Sequence, residues 1–585
     1  MGSAKERLVR AVRGHGGGQI AIEQGERSVT YAELGRLLEA RASALGTEGA
    51  AGALVAIERR KSVEFVVDLL AVLAVGGAAV PLDPDGPADR RATFLDLVRP
   101  ALLLDDSGVA CLDGAARRTL PADGAFVYFT SGSTGVPKPV LGSAAGLAAF
   151  ASWFREEFEV GARDRAAYVA GVSFEATSRE VFPPLCAGAT LVLPEAGDLA
   201  SPEAAVAWLG RRRVTLVTVV PSVARGWLRD GGGVCPDVRA AFFIGEPVPA
   251  DVLTGWRSTF PETAELVNSY GSTESGQATI VNRVARGEEA RQPVPAGRPV
   301  PGTRFCLIEP GAALDAGRVR DALERPPASG EIVIVSRFCS HGYLGMPEAT
   351  AARFAELGDG VKAYRTGDLG RMDERGDLVV TGRVDDEVKI NGVRVHPAEV
   401  TRAIRARPAV GDAFVIATDA AGDVRLIAFV MPAAGGALRI GDLRRDLVEA
   451  LPPAMIPSRF VEVPELPRAR TGKVDRSALV ALAEGAAAPA EHVEPDGDAE
   501  RWVADRFREL LGVDRVSAAD DLFALGGDSI TATRLAARAA RDLGVDVSQR
   551  AILAAPTVSG IAAAIVEEQL LAADPAELHA LLDGL

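Results

Sequence analysis

The sequence predicts a multi-domain α/β (α+β) protein that ends in a small helical bundle. Its 585 residues are too many for one hydrophobic core. Short β-branched runs, such as TLVTVV at 215–220 and EIVIV at 331–335, alternate with alanine-rich stretches typical of helices. Residues 484–499 are rich in alanine, proline and acid, as in a linker, and beyond them apolar residues recur at helical spacing.

Composition excludes several classes of protein. Apolar residues make up 48% and charged residues 24%, as in ordinary globular chains, and a net charge of −15 argues against nucleic acid or an anionic membrane as partner. No apolar run reaches about 18 residues and the first ten residues have no apolar core, so we expect neither a membrane span nor export, and a cytoplasmic location. Five scattered cysteines predict buried free thiols rather than disulfides or a zinc site.

The first elements with a clear pattern lie between residues 68 and 138. Residues 68–80 predict a buried helix that turns at Gly76 and Gly77 into a strand ending at Pro81. A second apolar run at 125–129 predicts another strand, and the loop TSGSTGVPK follows it directly. Glycines let successive N–H groups converge on an anion, and hydroxyls and Lys138 add donors and charge. A P-loop would need Lys-Ser or Lys-Thr after Gly135, which this loop lacks, and a flexible surface loop remains the alternative.

The stretch FTSGSTGVPK closely resembles the phosphate loop of the acyl-adenylate-forming superfamily, in particular the adenylation domains of nonribosomal peptide synthetases. Further motifs follow in the family's order: VTYAEL, LLAVLAVGGAAVPLDP, NSYGSTE, YRTGDLGR, GRVDDEVKINGVRV, LPPAMIP and RTGKVDR. The resemblance covers nearly the whole chain. It implies a large adenylate-forming N-terminal subdomain at 1–384, a small mobile α+β C-terminal subdomain at 385–483 with its hinge at Asp385, and a linker at 484–499. A peptidyl carrier domain at 500–575 completes the implied organisation.

The resemblance implies that ATP and Mg²⁺ bind to the large subdomain. Glu274 and Thr134 would hold the metal, which takes up phosphate charge. Tyr270 would stack on adenine, Asn268 would approach its edge, and Asp368 would accept hydrogen bonds from the ribose hydroxyls. The implied nucleotide-binding residues are Thr130, Ser131, Gly132, Ser133, Thr134, Gly135, Lys138, Gly245, Glu246, Asn268, Tyr270, Gly271, Thr273, Asp368, Arg383 and Lys389.

Two further residues carry the implied chemistry. Lys473, in RTGKVDR, would bridge the substrate carboxylate and the α-phosphate during adenylation, after which the small subdomain rotates about the hinge. Ser529, in DDLFALGGDSI, would open a helix and carry 4′-phosphopantetheine, whose thiol accepts the acyl group. The alternative for Ser529 is a plain helix N-cap, which the GDS sequence would also suit.

The implied substrate pocket departs from the family's usual pattern. Glu175 stands where an aspartate usually pairs with the substrate ammonium, and Arg179 is unusual in an amino-acid pocket. Either Arg179 and Gln277 bind an acidic or polar substrate tail, or Glu175 and Arg179, four apart on a helix, pair with each other. A small or short substrate is favoured under both. The implied pocket residues are Phe174, Glu175, Ala176, Arg179, Thr218, Phe242, Ile244, Ser269, Gln277, Ala278 and, at the mouth, Lys473.

The resemblance therefore predicts a free-standing adenylation–carrier didomain, an ATP-dependent, AMP-forming ligase that loads an amino acid on its own carrier for a peptide or related natural product such as an antibiotic. One alternative is activation of a β-amino, aryl or other non-standard acid. Another is a catalytically silent carrier or scaffold, which the motifs around Lys473, Glu274 and Asp368 argue against. Expected partners are a phosphopantetheinyl transferase, a condensation or tailoring enzyme acting in trans, and a small helper protein of adenylation domains.

Overall fold

The computed structural model describes residues 2–112, 118–132, 135–261, 263–288, 291, 293–420, 423–433, 438–468, 474–485 and 492–572, apart from 231–234. The chain forms two compact units. The first comprises Met1–Gly86, Arg91–Ser131 and Pro137–Arg394, and the second comprises Pro87–Arg90, Gly132–Val136 and Val395–Leu585.

Strands and helices alternate along the first 395 residues. The strands are β1 (Ile20–Gln24), β2 (Arg27–Thr30), β3 (Leu54–Glu58), β4 (Ala78–Leu82), β5 (Leu102–Asp105), β6 (Gly108–Cys111), β7 (Gly124–Thr130), β8 (Lys138–Ser143), β9 (Arg165–Ala167), β10 (Thr190–Leu193), β11 (Leu216–Val219), β12 (Ala240–Ile244), β13 (Glu265–Gly271), β14 (Ala278–Arg283), β15 (Arg298–Pro299), β16 (Thr303–Ile308), β17 (Ser329–Ser336), β18 (Phe354–Gly358), β19 (Val361–Met372), β20 (Leu378–Arg383), β21 (Val388–Ile390) and β22 (Val393–Val395). The helices are α1 (Ala4–Arg13), α2 (Tyr31–Thr47), α3 (Val63–Ala74), α4 (Ala88–Val98), α5 (Ala144–Glu157), α6 (Ala176–Ala187), α7 (Pro202–Arg211), α8 (Pro221–Asp230), α9 (Ala250–Thr259), α10 (Ala316–Glu324) and α11 (Pro347–Arg353).

Two large sheets in the first unit are parallel at their centres. One has the order β15-β14-β13-β12-β11-β9-β10-β1-β2, and the other has the order β6-β5-β3-β4-β7-β8. In the first sheet all neighbours in the series β13-β12-β11-β9-β10-β1 pair in parallel, and in the second sheet so do all neighbours in the series β5-β3-β4-β7. Parallel neighbours need crossover connections, which explains the regular alternation with helices. A third, antiparallel sheet has the order β16-β17-β19-β18, with β20 beside β19.

The main core of the first unit contains side chains from both parallel sheets and from the helices among them. Ile22 of β1, Ile57 of β3, Leu70 of α3 and Phe182 of α6 belong to one apolar cluster. Helix α3 is apolar on nearly every face because almost all of its residues are buried. The packed layers hold the strand ends in place, and the functional residues described below follow those ends.

The second unit combines a small sheet with two groups of helices. Its strands are β23 (Val410–Ala420), β24 (Asp423–Pro432) and β25 (Arg459–Glu462), and its helices are α12 (Pro397–Arg405), α13 (Ile440–Ala450), α14 (Arg476–Gly485), α15 (Gly497–Leu511), α16 (Ser529–Leu543), α17 (Gln549–Ala554) and α18 (Val558–Ala572). Helices α15 to α18 form the bundle predicted for the end of the chain, with Val503 and Phe507 buried on α15.

The structure confirms the predicted fold class and corrects some details. The predicted transition from helix to strand around Gly76 and Gly77 is the step from α3 to β4, and the run at 125–129 is β7. Cys111 is exposed, so the prediction of buried thiols is wrong for it, because it ends the edge strand β6; the other four cysteines are buried. Helices α14 and α15 take up both ends of the predicted linker. No helix among the described residues is long and apolar enough to cross a membrane.

Candidate active site

Two strand ends of the first unit bring together a hydroxyl and a carboxylate. Thr130 ends β7, and Glu274 lies in the turn that follows β13. The Thr130 hydroxyl donates to Glu274 Oε1 at 3.2 Å although 144 residues separate them. The structure thus joins the predicted phosphate loop to the predicted metal ligand.

Glu274 is a buried carboxylate surrounded by donors. The Tyr343 hydroxyl donates to Oε1 at 3.1 Å, and Arg394 Nη1 lies 3.2 Å from Oε2. Burial acts to raise its pKa, but Arg394 and the hydrogen bonds outweigh burial, so the pKa of Glu274 lies below its ordinary value. The residue is therefore held as an anion with only 1% of its surface exposed.

Asp368, the predicted ribose ligand, is fixed by two neighbours. The Tyr270 hydroxyl donates to its Oδ2 at 2.6 Å, and Arg383 Nη1 pairs with its Oδ1. The amide of Asn268 donates to the Pro295 carbonyl at 2.9 Å, which commits its nitrogen to the protein. The three predicted adenosine residues lie in one region, and their roles toward nucleotide stay predictions.

A line of alternating charges runs from Asp368 to Glu274. Arg383 Nη2 lies 3.0 Å from Glu387, Glu387 accepts from Arg394 Nε, and Arg394 reaches Glu274. Sequence reasoning did not single out Glu387 or Arg394 as functional residues. The alternation of acids and bases in GRVDDEVKINGVRV was the available indication, because such spacing over a short segment favours mutual pairing.

The phosphate loop offers a free donor and a positively charged neighbour. Ser131 is buried, and its hydroxyl has no hydrogen-bond partner among the described residues. Lys138 Nζ lies 5.2 Å from the centre of the Tyr343 ring, and burial lowers the pKa of Lys138. Gly135 takes a positive φ of 78° and donates to the Gly132 carbonyl at 2.8 Å, a turn that suits glycine. Ser133 and Thr134 lie outside the described residues.

The remaining predicted nucleotide residues lie on strands or in the turns that follow them. Glu246, after Gly245, accepts from the Ser222 backbone at 3.0 Å and from the Gly392 backbone at 2.6 Å, so its carboxylate supports the protein chain. Burial lowers the pKa of Lys389, against the opposing charge of Asp368. Gly271 ends β13, and Thr273 is half-buried in the turn before Glu274.

A small cavity lies where the substrate pocket was predicted. Its volume is about 10 Å³, roughly the space of one water. It is lined by Phe150, Trp153, Phe154, Phe158, Arg179, Thr218, Phe242, Ser269, Ala278 and Val281. Five of these residues were predicted. The aromatic residues of α5 and Phe158 just after it were missed, because their recurrence at helical spacing is equally typical of an ordinary core face.

The pair of Glu175 and Arg179 lies beside this cavity. Arg179 Nη2 is 3.2 Å from Glu175 Oε2, and their side chains are 9% and 13% exposed, respectively. Burial raises the pKa of Glu175, and Arg179 opposes that rise. Of the two alternatives for Arg179, the structure shows the ion pair with Glu175. The effect of this ion pair on substrate choice stays a prediction.

Several polar atoms near the cavity have no partner among the described residues. They are Glu175 Oε1, Arg179 Nε and Gln277 Oε1. Gln277 adopts a φ of 74°, uncommon for a residue with a side chain. Three other predicted pocket residues are not among the cavity's lining: Phe174 is 45% exposed, Ala176 begins α6, and Ile244 ends β12.

Of the residues predicted for the hinge and for catalysis, the structure describes Asp385 but not Lys473. Asp385 accepts from Arg383 Nε at 2.7 Å and from Arg353 Nη2 at 3.3 Å, and these partners outweigh burial and lower its pKa. Residues 385–394 belong to the first compact unit, so the second unit resumes at Val395. Lys473 lies outside the described residues.

Ser529 is the first residue of α16. The helix cap is Asp528, whose carboxylate accepts from the Thr531 backbone at 2.7 Å and from its hydroxyl at 2.6 Å. The interpretation of Ser529 as a plain N-cap is therefore wrong, because Asp528 fills that position. A Cβ on Gly527 would lie 2.7 Å from the Leu522 carbonyl, so the backbone before the serine has no room for a larger residue.

These residues fit the two groups that the resemblance implies. Mg²⁺ is commonly held by one or two carboxylates together with substrate phosphates. The described residues include a buried acid at the loop, Glu274, that could serve as such a ligand. The free Ser131 hydroxyl suits a phosphate oxygen. Ser529 follows the Asp528 cap as the first residue of α16, a position that suits attachment of phosphopantetheine.

Comparison with protein families gives three matches in chain order. Residues 8–344 match the family described as AMP-binding enzyme, and residues 399–473 match the AMP-binding enzyme C-terminal domain. Residues 501–565 match the phosphopantetheine attachment site and include Ser529.

Curated relatives and a solved structure extend this result. The chain is 33% identical over 93% of its length to the probable non-canonical nonribosomal peptide synthetase CymA of Salinispora arenicola, and 33% identical over 94% to the isonitrile lipopeptide synthase of Streptomyces coeruleorubidus. It covers only 7% and 39% of these relatives. Holo-PA1221, described as an NRPS protein containing adenylation and PCP domains, superposes with a TM-score of 0.75 over 97% of both chains at 24% identity, which shows a shared fold.

Proposed function

Because the chain belongs to the AMP-binding enzyme family and ends in a phosphopantetheine attachment domain, we propose that it activates a small carboxylic acid with ATP and loads it on its own carrier domain. The acid would first become an acyl-adenylate and then a carrier-bound thioester. An amino acid is the favoured substrate. One observation carries the proposal: within one unit, Glu274 and the nearby Tyr270 contact Thr130 and Asp368, which lie 144 and 98 residues away from them, respectively.

The charge distribution suits attack of a carboxylate on the α-phosphate of ATP. In that step a bond forms between the acid oxygen and the α-phosphorus, and the bond to the pyrophosphate oxygen breaks. The two reacting groups are anions, so positioning and charge neutralisation must supply most of the catalysis. Asp368, fixed by Tyr270 and Arg383, would hold the ribose, and the Ser131 hydroxyl would donate to a phosphate oxygen.

Charge on the phosphates requires cations. Mg²⁺, held by Glu274 and, in the family's pattern, Thr134, would supply a Lewis acid that neutralises phosphate oxygens. Lys138 adds a fixed positive charge beside Tyr343, near the same carboxylate. Lys473 would place its ammonium between the acid and the α-phosphate.

The carrier domain would complete the reaction. Phosphopantetheine on Ser529 would supply the thiol that accepts the acyl group. Asp528 caps α16, and Ser529 follows it as the first residue of the helix. This assignment implies two partners, a phosphopantetheinyl transferase and an enzyme that accepts the loaded acyl group. The helper protein expected from the resemblance is a third proposed partner.

The test is the intact mass of the phosphopantetheinylated protein after incubation with ATP and a mixture of amino acids. We expect a mass increment on Ser529 equal to one acyl group, and that increment identifies the acid. Ser529→Ala is the matched control, which should keep ATP–pyrophosphate exchange and lose the increment. Absence of both exchange and increment with every acid in a broad panel would refute the proposal and favour a silent carrier.

The ion pair of Glu175 and Arg179 supports a second candidate substrate class. A carboxylate that is already neutralised offers less attraction to a substrate ammonium, so an aryl acid, which lacks that group, would suit the site. ATP–pyrophosphate exchange across α-amino, β-amino and aryl acids separates these classes.

A further inference from the structure

The cation that contacts Glu274 in this structure is Arg394. Arg394 Nη1 lies 3.2 Å from Glu274 Oε2, and the Arg394 side chain is 18% exposed. The other carboxylate oxygen accepts from the hydroxyls of Thr130 and Tyr343. Both oxygens of the proposed metal ligand are thus occupied by the protein's own donors.

A guanidinium and a divalent metal on the same carboxylate oxygen compete for it, because both are cations. Magnesium requires its ligand oxygens at about 2.0–2.1 Å with near-octahedral geometry, so a metal on Oε2 would lie close to Arg394 Nη1. Like charges at such separation repel strongly in a buried environment. Metal binding at Glu274 therefore requires the Arg394 side chain to withdraw.

Glu387 gives Arg394 a second partner. Arg394 Nε pairs with Glu387 Oε1, and only its Nη1 reaches Glu274. The guanidinium can therefore leave Glu274 and keep one buried counter-charge, so that withdrawal does not strand an unpaired cation. Glu387 is itself 3.0 Å from Arg383, so it is held in place independently of Arg394.

We propose that Arg394 is a positioning residue that alternates with the divalent metal on Glu274. When metal and pyrophosphate are absent, Arg394 neutralises the buried Glu274 carboxylate and maintains the conformation of the turn after β13. When the metal–nucleotide complex enters, Arg394 moves toward Glu387. This inference rests on the proposed function, since it assumes that nucleotide and metal bind at this site.

The consequence is a lowered apparent metal affinity. The affinity of a ligand falls by the fraction of protein in the binding-competent state. If Arg394 occupies Glu274 in about nine molecules of ten, removing it should strengthen the metal's contribution about 10-fold.

The experiment compares binding of α,β-methylene-ATP to the full chain in the presence of Mn²⁺ and in the presence of EDTA, by isothermal titration calorimetry. The ratio of the two dissociation constants reports the metal's contribution without any chemical turnover. For Arg394→Gln we expect that ratio to rise about 10-fold over the unaltered protein. For Glu387→Gln we expect it to fall, because Arg394 then has Glu274 as its remaining strong partner.

The opposite signs separate competition from general loosening of the fold. Arg375→Gln is the matched control. Arg375 is 64% exposed, and its partner, Glu288 at 2.8 Å, does not belong to this network. The ratio of dissociation constants should not change in this variant. An unchanged or lowered ratio in Arg394→Gln overturns the inference. If that variant does not fold, an unchanged or raised ratio in Glu387→Gln overturns it. Failure of the unaltered protein to bind the nucleotide would instead contradict the proposed function.

Discussion

The buried pair of Glu175 and Arg179 allows a quantitative test of how the region predicted to bind substrate is stabilised. The perturbation is Glu175→Gln, which keeps the size of the side chain and removes its charge. The change leaves Arg179, whose side chain is 9% exposed, without its counter-ion. The companion variants are Arg179→Met and the double variant Glu175→Gln/Arg179→Met.

The expected magnitude follows from the geometry. Two unit charges 3.2 Å apart attract by about 5 kcal/mol at an effective dielectric constant near 20. Burial of both ions offsets most of this attraction, so loss of both charges changes stability little, whereas loss of one typically costs about 3–5 kcal/mol. We therefore expect each single variant to lower the free energy of unfolding by about 3 kcal/mol or more and the double variant by about 1 kcal/mol or less.

The assay is urea denaturation followed by tryptophan fluorescence. Four of the five tryptophans, Trp153, Trp208, Trp227 and Trp256, lie in the first compact unit, so the signal reports mainly on the unit that contains the pair. The double-mutant cycle gives the coupling between the two side chains.

A matched control pair exists on α10. Asp321 and Arg325 have the same spacing along a helix and lie 3.5 Å apart, but their side chains are 68% and 82% exposed, respectively. Asp321→Asn should change stability by about 0.5 kcal/mol or less. A coupling between Glu175 and Arg179 below about 1 kcal/mol would show that the buried pair behaves like this exposed one and would refute the reasoning.

Three other changes test separate features of the chain. Lys473→Ala should reduce ATP–pyrophosphate exchange far more than acyl transfer from a preformed adenylate; equal loss in both half-reactions contradicts its assignment. Tyr270→Phe removes the 2.6 Å hydrogen bond to Asp368 and should weaken AMP binding about 10-fold by calorimetry, and unchanged affinity would separate this bond from ribose binding. Burial lowers the pKa of Lys5 to about 8, so its charged form costs stability at neutral pH, and that cost is lost progressively between pH 8 and the ordinary lysine pKa of 10.5. The stability advantage of Lys5→Met over the unaltered protein should accordingly shrink by about 2 kcal/mol between pH 7 and 10 in urea titrations, and an advantage independent of pH would contradict the burial effect.

The positions of several candidate site residues were predictable from motifs in the chain. Thr130 ends β7, Glu274 lies in the turn after β13, and Asp368 lies on β19, so their positions follow once the strands are placed. The roles of Lys138, Tyr270 and Asp368 toward nucleotide stay predictions from their motifs.

The missed residues share a physical reason. Arg394 reaches Glu274 across 120 residues, and no local pattern specifies which of several acids an arginine will pair with. Phe150 and Phe154 follow ordinary helical periodicity, and only the packing of α5 against β12 makes them walls of a cavity. Such features depend on tertiary packing rather than on local sequence.

The aromatic wall of the cavity has a consequence for how the lining of the predicted pocket could change. Phe150, Trp153, Phe154 and Phe158, four of the ten residues around the cavity, are encoded within nine consecutive codons. The predicted pocket residues, by contrast, are dispersed over more than a hundred codons from Phe174 to Ala278, with Lys473 still further along. A single short gene replacement, in the laboratory or by recombination between relatives, would therefore exchange four of the ten lining residues in one event and leave Glu175 and Arg179 untouched.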